Sequence, residues 1–197
     1  MLYFIGRNLF WLLFKLLGLR VEGQINIPKE GPLIVAGNHV SNWDPILIAA
    51  AINRPVCYMG KAELFNTPFK NWLMRELNVF PVERGKGDLA AIRTALNLLK
   101  ENKVMGMFPE GRRNMEKDYD LTKVSAGVGF LAAKSGARVL PVAVVGSDLP
   151  LPFGYIRPLK VVIGHPMAFK LEPGEKKNSE KFSQFSQNVM QKIYSML

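Results

Sequence analysis

The sequence is poorest in the residues that build disulfides and metal sites. Cys57 is the single cysteine among 197 residues, which excludes an intramolecular disulfide framework. Two histidines leave too few ligands for Cys/His zinc chemistry. No G-x-S-x-G elbow and no G-x-x-x-x-G-K-[ST] loop occurs, so a serine hydrolase and a P-loop ATPase have no support. No repeat, low-complexity tract or linker divides the chain. Acids are also scarce: 16 Asp and Glu stand against 26 Lys and Arg, a formal charge of +10. That excess points to an anionic partner, whether nucleic acid, an anionic membrane surface or a phosphorylated substrate. At 48% hydrophobic and 21% charged, the chain is too apolar to be disordered. Its length suits one domain with a real core.

Residues 1–20, MLYFIGRNLFWLLFKLLGLR, carry Arg7, Lys15 and Arg20 and no acid. A secretory signal is unsupported, because the charges are spread through the segment and no small-residue cleavage site follows. A spanning helix needs about 20 apolar residues largely free of charge, and Arg7 and Lys15 interrupt this one. At about 100° per residue, Arg7, Asn8 and Lys15 fall on one side, while Phe4, Leu9, Trp11, Leu12 and Leu16 leave most of the rest apolar. The pattern predicts a helix lying in a membrane interface, with its bases toward lipid phosphates and Phe4, Arg7, Trp11 and Lys15 in contact with lipid. A buried core helix is the competing reading.

From Leu33 onward, short apolar runs alternate with helical patterns. LIVAG (33–37), VCYM (56–59), VFPV (79–82), VMGMF (104–108), VLPVAVV (139–145) and KVVIG (160–164) read as strands. Pro141 suggests an edge or a bulge. Asp44-Pro45 and Thr67-Pro68 open helices, with Asp44 and Thr67 as N-caps and each Pro at the first helical position. Asp88 caps a third helix, with Leu89, Ile92, Leu96 and Leu99 on one face. A fourth runs from about Val124 to Gly136. Phe182, Phe185, Val189, Ile193 and Met196 line the last. Strands alternating with helices imply an α/β fold with a mostly parallel or mixed sheet covered on both faces. Sites in such sheets gather at the carboxyl ends of strands, here the loops after Gly37, Met59, Val82, Phe108 and Val145.

In the first of these loops, four residues separate His39 from Asp44. The loop can fold back so that the carboxylate meets one imidazole nitrogen while the other faces the cleft. Such a pair fixes the tautomer, stabilises the imidazolium and lets His39 remove a proton. Asp44 as an N-cap alone, with His39 a polar loop residue, is the competing reading, and the two are compatible because a carboxylate has two oxygens. The loop after Phe108 reads Pro109-Glu110-Gly111-Arg112-Arg113-Asn114, which suits an anion clamp, with a solvated basic turn as the competing reading. Lys61 and Arg84 follow two other strands; each alone reads as surface charge, but with Arg113 they converge on one anion if the three strands run parallel.

These residues resemble a family. NHVSNWDP resembles the His-x4-Asp block of glycerolipid acyltransferases, and Lys61-Ala62-Glu63-Leu64 with Phe80-Pro81-Val82-Glu83-Arg84 resembles their second block. FPEGRRN and VLPVAVVG (139–146) resemble the third and fourth, in order and at family-like spacing. The nearest resemblance is to the bacterial 1-acyl-glycerol-3-phosphate (lysophosphatidic acid) acyltransferases. It implies transfer of a fatty acyl group from acyl carrier protein or coenzyme A to the sn-2 hydroxyl of lysophosphatidic acid, giving phosphatidic acid in phospholipid biosynthesis. By that resemblance His39 is the general base and Asp44 its orienting acid. Lys61, Arg84 and Arg113 hold the acceptor's phosphate, with Glu110 and Gly111 shaping their loop.

The chain is thus expected to divide into a membrane-interface helix over 1–20 and an acyltransferase domain over 21–197, with a peripheral or monotopic place on the cytoplasmic face of the cell membrane. Arg112 and Asn114 stand where the family block usually has Thr and Ser, and Phe130 stands at a usual basic position. These departures bear on the acceptor, for which glycerol-3-phosphate is the alternative. The reaction calls for no metal and no cofactor beyond the thioester donor. Cys57 as an acyl-enzyme nucleophile is the lesser reading, since it sits in an apolar strand run. Two other classes compete. A non-catalytic lipid-binding relative would be expected to have lost His39 or Asp44. A nucleic-acid binder is disfavoured because the bases are dispersed and no binding motif appears.

Overall fold

The computed structural model describes residues 1–83, 88–148, 158–172 and 174–197. Its helices are α1 (Leu2–Leu16), α2 (Asp44–Ala51), α3 (Pro68–Glu76), α4 (Leu89–Lys100), α5 (Gly127–Ser135) and α6 (Ser179–Tyr194). Its strands are β1 (Arg20–Glu22), β2 (Leu33–Gly37), β3 (Val56–Lys61), β4 (Val79–Val82), β5 (Val104–Met107), β6 (Arg138–Val145) and β7 (Lys160–Ile163). One sheet holds them in the order β1-β7-β6-β2-β5-β3-β4. The five strands β6-β2-β5-β3-β4 are mutually parallel, and β7 runs antiparallel to β6. The mixed α/β sheet read from the sequence is therefore present. The carboxyl ends of β2, β3, β4, β5 and β6 lie along one edge, which brings the loops singled out above to one side of the molecule.

Burial explains why the strand boundaries were legible. All five residues of β2 are buried, because helices cover both faces of the sheet. On one face Leu33, Val35, Val56, Val104, Leu140 and Val142 pack with Leu47, Ile48 and Phe14 from α2 and α1. On the other, Ile34, Met105, Val139 and Ala143 pack with Leu99, Val128, Leu131, Val189 and Ile193 from α4, α5 and α6. Phe130 belongs to this second layer, edge-on to Phe182 at 5.6 Å, so an apolar residue suits its position. Cys57 is buried in the same layer, and burial pushes its thiol pKa up.

Several expectations are corrected. Pro141 sits inside the sheet and not at an edge, paired with Ala36 of β2. Val139 exchanges both backbone hydrogen bonds with Met167, and the Pro141 carbonyl accepts from Gly164. The missing proline N–H therefore faces the break in pairing between Ile163 and Met167. Leu89 is exposed, and the buried stripe of α4 is Ala91, Ala95 and Leu99. The fourth helix begins at Gly127, after a 3-10 turn over Leu121–Lys123. Thr67 and Asp88 cap α3 and α4 as expected, accepting from Lys70 N and Ala91 N.

The N-terminal segment differs more. α1 has 15 residues, a length of about 22 Å, and among the described residues no helix is long and apolar enough to cross a membrane. The helix packs on the rest of the fold. Tyr3 and Phe14 are buried, the Tyr3 hydroxyl accepts from Val56 N, and Leu19 joins the core just before β1. Arg7 does not point toward lipid phosphates. Its Nε donates to the carbonyls of Ala49 (3.3 Å) and Ile52 (3.1 Å), among the last carbonyls of α2, which a cation suits. Phe4, Ile5, Leu9, Trp11, Leu12, Leu13 and Leu16 are exposed on the remaining surface. Lys15 is exposed and lies 5.9 Å from the Trp11 ring centroid.

Candidate active site

The carboxyl end of β2 delivers His39, and the start of α2 delivers Asp44. His39 Nδ1 lies 3.0 Å from Asp44 Oδ2. The same oxygen accepts the backbone N–H groups of Val40 and Ser41, each at 2.7 Å. The Asp44 side chain thus folds back into the loop, and Trp43 occupies the cap position where Asp44 was expected. Asp44 Oδ1 accepts from Ser147 Oγ at 2.5 Å. Asp44 is fully buried and His39 keeps 14% of its side chain exposed. A carboxylate only accepts, so His39 Nδ1 carries the proton and Nε2 presents its lone pair. That is the arrangement of a general base with an orienting acid.

Neighbouring strands hold this loop. The Asn38 amide donates to Val144 O at 2.9 Å and its oxygen accepts Val144 N at 2.7 Å, tying the end of β2 to β6. On the other side, Glu110 Oε2 accepts His39 N at 2.7 Å, and Asn114 N donates to His39 O at 2.6 Å. The imidazole stacks on Phe108 with centroids 4.1 Å apart, and Tyr58 stacks on the same ring at 6.0 Å.

Glu110 also accepts from Asn114 Nδ2 (2.8 Å) and Tyr194 Oη (3.2 Å). Burial raises its pKa, and these hydrogen bonds oppose the rise. The Tyr194 hydroxyl pKa is pushed up by burial and by the Glu110 charge. Asn114, where the family block usually has Ser, further donates to Asp118 O and accepts Asp118 N, closing the loop. Gly111 adopts φ 69° and closes a turn by donating to Phe108 O, a conformation that favours glycine. Glu110 and Gly111 thus shape this loop.

The bases are placed in order along the strand edge. Lys61 ends β3, and Arg112 and Arg113 follow β5; all three are exposed. Arg112 and Arg113 border a cleft of about 250 Å³ beside Glu110, with Lys123 and Tyr194 on its wall. Arg84 lies outside the described residues. β3, β4 and β5 are parallel, so Lys61 and Arg113 follow strands that end on the same side of the sheet. A larger cleft of about 670 Å³ opens at the opposite, amino ends of β3, β4 and β5, beside Arg54, Arg75 and Lys103. It is far from His39 in the topology and takes no part in this site.

Sequence reasoning missed Ser147, Asn38 and the Phe108 stack. Ser147 lies in the loop after β6, one of the strand ends already singled out, but a lone serine there carries no motif.

Comparison with known proteins agrees with the geometry. The family model described as Acyltransferase matches residues 18–145. A 1-acyl-sn-glycerol-3-phosphate acyltransferase of Borreliella burgdorferi is 32% identical over 130 residues, covering 65% of this chain and 51% of that protein. A protein of the same name from Bacillus subtilis is 28% identical over 152 residues, covering 76% and 74%. The crystal structure of PlsC from Thermotoga maritima, a 1-acyl-sn-glycerophosphate (LPA) acyltransferase, superposes with a TM-score of 0.66. It is 29% identical, covering 97% of this chain and 76% of that one. This chain thus spans about half of the Borreliella relative and about three quarters of the other two. With the family model matched across both the His39–Asp44 loop and the Glu110–Asn114 loop, the chain belongs to the Acyltransferase family.

Proposed function

We propose that the protein transfers a fatty acyl group from an acyl carrier protein or coenzyme A thioester to the sn-2 hydroxyl of lysophosphatidic acid, giving phosphatidic acid. The observation that carries this reading is the His39–Asp44 pair, with Nδ1 committed to a buried carboxylate and Nε2 left to accept a proton. The acceptor hydroxyl gives its proton to Nε2 as its oxygen attacks the thioester carbonyl. The tetrahedral intermediate collapses with loss of the thiolate, to which the imidazolium returns the proton. Asp44 offsets the positive charge that His39 carries in between. General-base assistance contributes about 10²–10⁴-fold, and positioning of the alcohol adds to it. Lys61, Arg113 and Arg84 hold the phosphate of the acceptor, with Arg112 as an added base in the same loop. No metal or further cofactor is needed, because the thioester is already activated.

The acceptor's acyl chain resides in a bilayer, and extracting it costs about 0.8 kcal/mol per exposed methylene. The exposed Phe4, Ile5, Leu9, Trp11, Leu12 and Leu16 of α1 support docking on the cytoplasmic face of the membrane as a peripheral protein. The deciding experiment is an acyl-transfer assay of wild type and His39→Ala against lysophosphatidic acid, glycerol-3-phosphate and an unphosphorylated lyso-lipid. Product is expected from lysophosphatidic acid alone with wild type, and from no acceptor with His39→Ala. Wild-type turnover in His39→Ala would refute the general-base role, and preference for another acceptor would refute the substrate.

A further inference from the structure

We propose that Ser147 is a positioning residue for acyl transfer that acts on His39 through Asp44. The proposal rests on the general-base role of His39 given above. Asp44 Oδ2 already accepts three donors, from His39, Val40 and Ser41. Oδ1 has a different environment. Among the described residues its donor is the Ser147 hydroxyl at 2.5 Å, on a residue only 1% exposed. The carboxylate is acceptor-only, so the serine proton points at Oδ1. Committed in this way and closed off from solvent, Ser147 is not a nucleophile.

The backbone holds Ser147 in place from two sides. Gly146 adopts φ 83°, and a Cβ added there would come within 2.7 Å of Pro158 O, so this turn needs glycine. The two Asn38–Val144 hydrogen bonds fix the strand that carries Ser147 against the strand that carries His39. Asp44 is therefore gripped between two adjacent strand ends. One supplies the base, and the other supplies a donor that holds the carboxylate plane and offsets its charge. Without that donor, Oδ1 is buried and unsatisfied. The carboxylate then draws more strongly on the proton it shares with His39. The His39–Asp44 pair as a whole gains proton affinity, whichever of the two atoms carries the proton. Other titratable groups lie near the pair: Glu110 from the loop after β5 and Tyr58 from β3, while Asp148, ion-paired to Lys117 (2.7 Å), adjoins Ser147 in sequence. Ser147→Ala leaves all of them in place.

The test compares Ser147→Ala, Ser147→Cys and Ser147→Thr with wild type and His39→Ala. The readouts are kcat, KM for lysophosphatidic acid, and the pH profile of kcat/KM. For Ser147→Ala, kcat is expected to fall about tenfold, with KM within about twofold. The acid limb of the profile should move to higher pH by up to about one unit. Ser147→Thr, which keeps the hydroxyl, should restore both values. Ser147→Cys, a weak donor of similar size, should fall between, and it carries the comparison if the alanine variant does not fold. A variant that merely loosened the fold would lower the active fraction without moving the pH profile. An unmoved acid limb in Ser147→Ala, or in Ser147→Cys if only that variant folds, would overturn the proposal, as would a threonine variant no better than alanine. Wild-type turnover in His39→Ala would instead overturn the general-base reading on which the proposal rests.

Discussion

Replacing Asp44 by Asn removes one charge and almost nothing else. The amide has one acceptor oxygen and one donor nitrogen, and only one orientation suits the site. Its oxygen must take the position of Oδ2, where His39 Nδ1, Val40 N and Ser41 N all donate. Its nitrogen then meets Ser147 Oγ, whose hydroxyl can rotate to accept. The imidazole tautomer is preserved, and the loss is confined to the attraction between carboxylate and imidazolium. Two unit charges about 4 Å apart at an effective dielectric of about 20 attract by about 4 kcal/mol. The surviving hydrogen bond to the amide oxygen retains part of that. A loss of about 2–4 kcal/mol corresponds to about 30- to 1,000-fold in kcat. The positive charge exists only after proton transfer, so KM should change by less than about threefold. Thiol release from an acyl thioester, followed at saturating lysophosphatidic acid, measures the effect, with circular dichroism confirming the fold. Activity within about threefold of wild type would refute the role given to Asp44, and so would a loss confined to KM.

Lys61→Ala and Arg113→Ala should each raise KM for lysophosphatidic acid about five- to thirtyfold, because both bases are exposed and partly screened by water. They should leave a lyso-lipid without phosphate unaffected, and equal effects on both acceptors would count against the clamp. Tyr58→Phe should stabilise the fold by about 1 kcal/mol in urea unfolding, since the Tyr58 hydroxyl is buried with no hydrogen-bond partner among the described residues. The ring still stacks on Phe108, so kcat should not change, and a destabilised variant would reveal a partner for the hydroxyl. Arg7→Ala should cost about 1–2 kcal/mol of stability, through loss of the bonds to Ala49 and Ile52, without altering binding to anionic vesicles. Leu12→Ser with Leu16→Ser should do the reverse, and vesicle binding that tracks Arg7 would contradict the orientation of α1.

The sequence made the strands legible because parallel strands buried on both faces are written as unbroken apolar runs. LIVAG, buried throughout, matches β2 residue for residue; VFPV matches β4 as well, although that edge strand is only partly buried. β1 escaped for the opposite reason: three residues, charged at both ends, pair with β7 alone at the sheet edge. α1 was legible as a helix but not in its rotation. Tyr3, Arg7, Phe10, Phe14 and Leu17 recur at spacings of three and four and form the packed face, yet the exposed face is equally apolar, so periodicity cannot choose between them. Arg7 made the packed face look polar, because a guanidinium that closes another helix's carbonyls is indistinguishable in sequence from one that meets a phosphate.

The active site divides along the same line. His39 and Asp44 are five residues apart, so chain geometry alone restricts them to one loop. The groups that hold them are distant: Glu110 lies 71 residues from His39, Val144 lies 106 from Asn38, and Ser147 lies 103 from Asp44. Only the sheet order, with β2 between β6 and β5, makes those three contacts neighbours. A sequence can therefore display the His39–Asp44 pair while concealing the residues that give it a single geometry. The donor on Asp44 Oδ1 comes from the loop after β6, which no local pattern connects to the His39–Asp44 loop.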